Sequence, residues 1–306
     1  MRFFATPLPL RYQGIIKSAT NIFDQSFLWN PEKQNFFDSL DSFSPDILFC
    51  DVDNVNNAII SACNNFTNLK KIVLFSNRPI NSLRSDLICA EPSISATMKR
   101  NLERNGSTLF YLSDYADISN LSNEKKEEQF KSDFSYYFSA EEKAQVEKSM
   151  AASAEKFSSL LAYLKSLSEI GKLKITGASK LPVPEHLGYL PPDRVISFLK
   201  SSKISLDICG GNLFNQAANG IFTVSTTDNY LFPTIKINKD AKDKIKELLE
   251  NPETRDKITK EAQEKVFRND TSYQRLSTIL DKIGLNEFAQ KSKNKIKEIK
   301  CELELL

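Results

Sequence analysis

The stretch "FLKSSKISLDICGGNLFNQAANGIFTVST", residues 198–226, strings together a helix end, a buried strand, a glycine pair, a new helix and a second strand. The apolar run Ile204 to Ile208 gives way at Gly210 and Gly211 to helical spacing, and another apolar run starts at Phe222. That order is the grammar of a parallel α/β unit, in which ligands sit where a strand's carboxyl end meets the next helix's amino end. Gly210 and Gly211 permit a tight turn and close approach of a ligand to the backbone. The amides of Asn212, Leu213 and Phe214 would then point at an anion at the helix start, and a diphosphate is a natural guest. A glycine pair that merely turns the chain is the competing account of the same residues.

Working outward, strand-length apolar runs alternate with helical patterns along the whole chain. Strands are predicted at 2–7, 46–51, 71–76, 86–91, 108–113 and 134–139 in the first half, and at 173–178, 203–208, 222–226 and 234–237 in the second. Helices are predicted over 53–65, over "SISATMKRNLERNG" (93–106) with Gly106 as its stop, and from Ala140 to about Leu167. The last third, from Lys239, is nearly all helical pattern. A polar run, "SNLSNEKKEEQFKSD" (119–133), marks either a domain boundary or a solvated loop.

Composition narrows the function classes. A chain of 306 residues is long enough for two domains, and 41 basic against 39 acidic residues leave a net charge of +2, too little for a global attraction to nucleic acid or an anionic membrane. Five cysteines without CxxC spacing indicate neither a disulfide framework nor a zinc site, which fits a cytoplasmic protein. Two prolines break the early apolar stretch, and no run of about 18 apolar residues follows, so neither export by that route nor a transmembrane segment is expected.

Reading on from the opening stretch, the loop around the only histidine, His186, continues through a Gly-Tyr-Leu-Pro turn into the helix before Ile204. Far downstream, "TSYQR" opens a late helix at Thr271. This ordered series resembles the C-terminal half of GT-B fold glycosyltransferases, most closely the CgeB-like (spore maturation protein) group. That group shows an "hGyvP" turn, a helix, a strand ending near glycine, an "R-hydrophobic-Phe-Glu-x-x-Ala-x-Gly" segment, a short strand and an "hTY-x-x-R" helix. The matching pieces here are 186–191, 195–200, 204–208, 212–220, 222–225 and 271–275.

The resemblance implies two Rossmann-like domains facing across a cleft, divided near residues 130–145, with a helical C-terminal segment that packs back toward the first domain. Drawn on the sequence, the domains are 1–135 on the acceptor side, 136–285 for the nucleotide sugar, and a helix over 286–306. It further implies transfer of a sugar from a nucleotide-sugar donor, bound as substrate rather than as a permanent cofactor, to a glycan, lipid-linked sugar or protein. Gly210, Gly211, Phe214, Ala218 and Gly220 keep the group's pattern. Asn212 stands where the group has an arginine for the diphosphate, and Asn215 where it has a glutamate for the ribose hydroxyls. An asparagine still hydrogen-bonds a ribose, but a carboxylate accepts two hydroxyl protons and supplies charge.

Further expectations attach to single residues. His186 is a candidate to contact the nucleotide, Asp114 and Asp117 to act as base, and Lys180 or Lys203 to replace the missing arginine; the plainer alternatives are a packed or solvent-facing loop histidine, turn-forming aspartates and solvated lysines, and for the histidine and the lysines these carry more weight. No glycine-rich loop follows the first strand, where "ATPLPLRYQG" offers only Arg11 and Gly14. A catalytically degenerate, glycosyltransferase-like binding or assembly module is therefore the alternative. A sugar-nucleotide epimerase of the same fold is disfavoured by the single histidine.

Overall fold

A computed structural model describes the chain except residues 10–11, 52–65, 67, 77–84, 93, 96, 98, 101–107, 120, 122–125, 139–153, 178–180, 209–212, 239 and 305–306. The chain divides into two units, residues 1–119 with 269–306, and residues 120–268.

In the first unit, β1 (Arg2–Ala5), β2 (Gln25–Leu28), β3 (Ile47–Asp51), β4 (Lys71–Phe75), β5 (Leu87–Ala90) and β6 (Thr108–Tyr111) form one parallel sheet, ordered β2-β1-β3-β4-β5-β6. The strands from β3 to β5 are apolar at almost every position because both faces are covered, as parallel sheets require. Two helices, α1 (Gln13–Thr20) and α2 (Phe36–Phe43), lie between the early strands. Asn35 caps α2, accepting from the amides of Phe37 and Asp38. The helix predicted over 53–65 lies outside the described residues.

Asp46 pins the start of this sheet. Its carboxylate accepts from the Arg2 amide at 2.8 Å and pairs with Lys70 at 2.7 Å. The Lys70 ammonium, and after it the Arg2 amide, hold the carboxyl below its ordinary value near 3.8. A depressed carboxyl contributes stability that is present above the unfolded-state value and is lost as pH falls through the folded one. Asp46→Asn should therefore cost about 1 kcal/mol at neutral pH. Thermal midpoints of wild type and variant, measured across pH, should converge in acid.

The second unit holds β7 (Ser132–Phe138), β8 (Leu173–Gly177), β9 (Ser202–Asp207) and β10 (Thr223–Ser225), all parallel and ordered β10-β9-β7-β8. One face presents Phe134, Tyr136, Ile175, Ile204, Leu206 and Val224 to α3 (Ala154–Ser168) and α6 (Ala241–Glu250). The other carries a row of buried small residues, Ser135, Ser205 and Thr223, in register across β7, β9 and β10. Their size lets α4 (Val195–Lys200) and α5 (Leu213–Ala218) lie close against the strands. Helix α7 (Pro252–Asn269) closes the unit, with its proline at the first-turn position, where a missing amide costs nothing.

This arrangement corrects the boundaries drawn on the sequence. The strand read at 134–139 with the first half is the central strand of the second sheet, paired with β8 and β9, so the division falls at 119/120 and not 135/136. Residues 269–285, assigned on the sequence to the nucleotide-sugar domain, belong with the first unit, because α8 (Ser272–Lys282) packs on α1 and on α9 (Asn286–Glu302). Ser18 Oγ donates to Ser272 Oγ at 2.8 Å and Asn21 Nδ2 to Tyr273 Oη at 2.9 Å. Thr271 caps α8 in a reciprocal box with Gln274, as its position before the helical pattern suggests. The 234–237 run forms only one bridge, Thr234 to Ser225.

Candidate functional site

The second sheet reverses its winding at β7. From β7 the chain steps outward to β8, returns across β7 to β9, and continues to β10. The carboxyl ends of β7 and β9 thus form a topological switch point, where open α/β sheets bind ligands. β9 ends at Asp207 and α5 begins at Leu213, so these two elements of the opening stretch flank the switch point.

Of the residues singled out, Gly210, Gly211 and Asn212 lie outside the described residues. Leu213 starts α5 and is buried. Phe214 is half-buried and meets the exposed Tyr230 ring edge-on at 5.9 Å. Asn215, also half-buried, accepts at its carbonyl from the amide and the side chain of Asn219. His186 forms an isolated parallel bridge beside Ile175 of β8, and its Nδ1 accepts the Gly188 amide at 3.0 Å. The neutral ring therefore carries its proton on Nε2, which is buried without a partner among the described residues.

Sequence reading overlooked the groups that stitch these strand ends together. Asp207, buried at the end of β9, accepts from Ser225 Oγ at 2.7 Å, and its carbonyl accepts the Thr226 amide at 2.9 Å. Ser225 Oγ in turn lies 3.0 Å from Thr227 Oγ1. The signal was the one acid of this strand, standing three residues before the glycine pair. Gly177 was also passed over: a Cβ there would lie 2.1 Å from the Phe138 carbonyl oxygen. Only glycine lets β8 end so close against β7.

Lys203 follows the plainer of its two readings and is exposed. It stands near the amino end of β9 and pairs with Asp133 at 2.8 Å, about 13 Å of extended chain from the strand's other end. Lys180 lies outside the described residues. Lys236 bonds the Thr226 carbonyl at 3.2 Å and pairs with Asp228 at 3.1 Å, which places a cation beside the end of β10.

In the first unit, Asp117 is occupied by Lys17 at 3.2 Å and by the Ser119 amide at 3.1 Å, and Asp114 is exposed. Arg275 ties this loop to α8 through Ser113 Oγ, the Asp114 carbonyl and Asp270. The Tyr115 phenol, pushed up chiefly by burial, accepts the Ile15 amide at the start of α1. Arg11 lies outside the described residues. Among the described residues, no group of three or more His, Cys, Asp or Glu could hold a metal, and no helix is long and apolar enough to cross a membrane.

Two Rossmann-like units of this order, followed by C-terminal helices, define the GT-B fold. The chain shares it with a DNA-modifying β-glucosyltransferase, solved with and without its substrate uridine diphosphoglucose (14% identity, 97% of this chain and 100% of that one, TM-score 0.50). It shares it also with the glycosyltransferase SnogD from Streptomyces nogalater (9% identity, 92% and 98%, TM-score 0.50). At such identities the likeness is one of fold. Residues 158–281, from α3 through most of α8, match a family described as Glycosyl transferase-like. No curated protein matches the sequence.

Proposed function

We propose that this chain is a glycosyltransferase that moves a sugar from a nucleotide-sugar donor to a glycan, lipid-linked sugar or protein, and that its nearest kin are the CgeB-like group. The observation that carries the reading is the β9-to-α5 switch point, which falls inside the segment matching a glycosyltransferase-like family. In this reading the amides of residues 212–214 receive the donor's diphosphate as it departs, and amides preset for developing charge are the main catalytic device. Asp207 adds a carboxylate to the same strand ends, so the compensating positive charge falls to those amides and to cations such as Lys236. His186 offers its Nε2–H as a donor toward the nucleotide. The donor is a substrate, and no permanently bound cofactor enters the scheme.

One observation favours the degenerate module as a second reading. The start of α1, where an active member would bring a glycine-rich loop to a phosphate, has its Ile15 amide taken by the Tyr115 hydroxyl. Asn212 and Asn215 in place of charged residues point the same way.

Calorimetric titration with uridine and guanosine diphosphates separates the two. The transferase reading expects one of them to bind wild type, Gly211→Val to abolish binding by placing a branched side chain against the phosphates, and Asn215→Glu to strengthen it by about 1 to 2 kcal/mol. If neither diphosphate binds and Asn215→Glu gains nothing, the non-catalytic module is the better account.

A further inference from the structure

The second unit has a cavity of about 580 Å³ at the opposite end of its sheet, where β7, β9 and β10 begin. Lys126, Lys131, Lys200, Lys203 and Arg255 line it, against three carboxylates. Two of those carboxylates are turned to local partners. Ser197 Oγ donates to Glu127 at 2.7 Å, with Arg194 alongside, and Glu128 pairs with Lys131 at 3.3 Å. Arg255 donates to the carbonyls of Leu248 and Leu249 at 2.6 and 2.7 Å and pairs with no carboxylate among the described residues. Lys126 has no ion-pair partner among the described residues.

The remaining lining is of another kind. The carboxyl ends of α4 and α5 open here, presenting carbonyls and the side chain of Asn219, whose Nδ2 donates to the Asn215 carbonyl at 2.9 Å. Its Oδ1 is buried without a partner among the described residues. A buried acceptor left unmade is costly, and a ligand hydroxyl would satisfy it. Leu199, Ile221 and Phe222, all buried, lie beneath the cavity. A bare anion would answer the cations but not these acceptors.

We propose that this cavity binds a phosphorylated sugar or polyol, its phosphate drawn to Lys126 and Arg255 and a hydroxyl donating to Asn219 Oδ1. The site lies at the far end of β9 from the candidate donor edge and does not depend on the donor reading.

Calorimetry of the full chain with glucose 6-phosphate, inorganic phosphate and glucose tests it. Glucose 6-phosphate should bind at least about tenfold more tightly than either fragment, the scale of losing one charge-assisted or hydroxyl contact set. Lys126→Glu, on an exposed side chain, should weaken that binding about tenfold or more with an unchanged thermal midpoint. Asn219→Ala should weaken glucose 6-phosphate while leaving inorganic phosphate unaffected. No heat with glucose 6-phosphate, equal affinity for inorganic phosphate, or indifference to Lys126→Glu would each overturn the assignment.

Discussion

Gly177→Ala should lower the stability of the second unit by about 3 kcal/mol or more, at the upper end of what overpacking costs. Gly177 closes β8 in register with Phe138 of β7, and a Cβ would stand 2.1 Å from the Phe138 carbonyl oxygen. That atom is backbone on a strand flanked by β8 and β9, so no side-chain rotation relieves the contact. The Gly177 amide also donates to the Gly188 carbonyl at 3.2 Å, fastening the extended piece that carries His186. Pushing the end of β8 away would loosen this piece as well. Urea denaturation followed by circular dichroism, with hydrogen exchange at Ile175 and Leu187, measures both effects. A loss under about 1 kcal/mol would mean that the two strand ends separate cheaply.

Tyr273→Ala should cost about 3 to 4 kcal/mol, the range for a large buried side chain cut to alanine. The ring is fully buried, its hydroxyl accepts from Asn21 of α1, and Ser292 of α9 donates to its carbonyl at 2.8 Å. It thus joins the helix that follows β1 to the last helices of the chain. Tyr273→Phe keeps the ring and gives up one hydrogen bond, about 1 kcal/mol. The one tryptophan, Trp29, belongs to the same unit, so its fluorescence during denaturation reports the loss directly. An unchanged midpoint in the alanine variant would remove Tyr273 from the packing that holds the terminal helices.

Much of the candidate site could be read from residues 198–226 because a strand, a glycine turn and a helix are set by near neighbours. The buried Asp207 and its serine partner could not. Ser225 lies eighteen positions away, and only the pairing of β9 with β10 brings the two side chains to 2.7 Å. The place of His186 beside Ile175 is likewise a longer-range outcome, a bridge between residues eleven positions apart.

The sequence by itself determined the alternation of strands and helices, the burial of the apolar runs and the cap at Thr271, since each depends on a few consecutive residues and their exposure to water. It missed β2, whose "QSFL" lies mostly exposed on the sheet edge and carries no apolar run. Tertiary structure alone decided that the strand at 132–138 joins the second sheet and that residues 269–285 group with the first unit; that the terminal helices pack toward it was already implied by the resemblance. It also decided that Lys203 stands at the end of its strand opposite the switch point and that Tyr115 occupies the start of α1. The reason is range: hydrophobic period and turn chemistry act along the chain, whereas which edge a strand finds, and which polar groups meet there, is fixed by pairing between residues far apart in sequence.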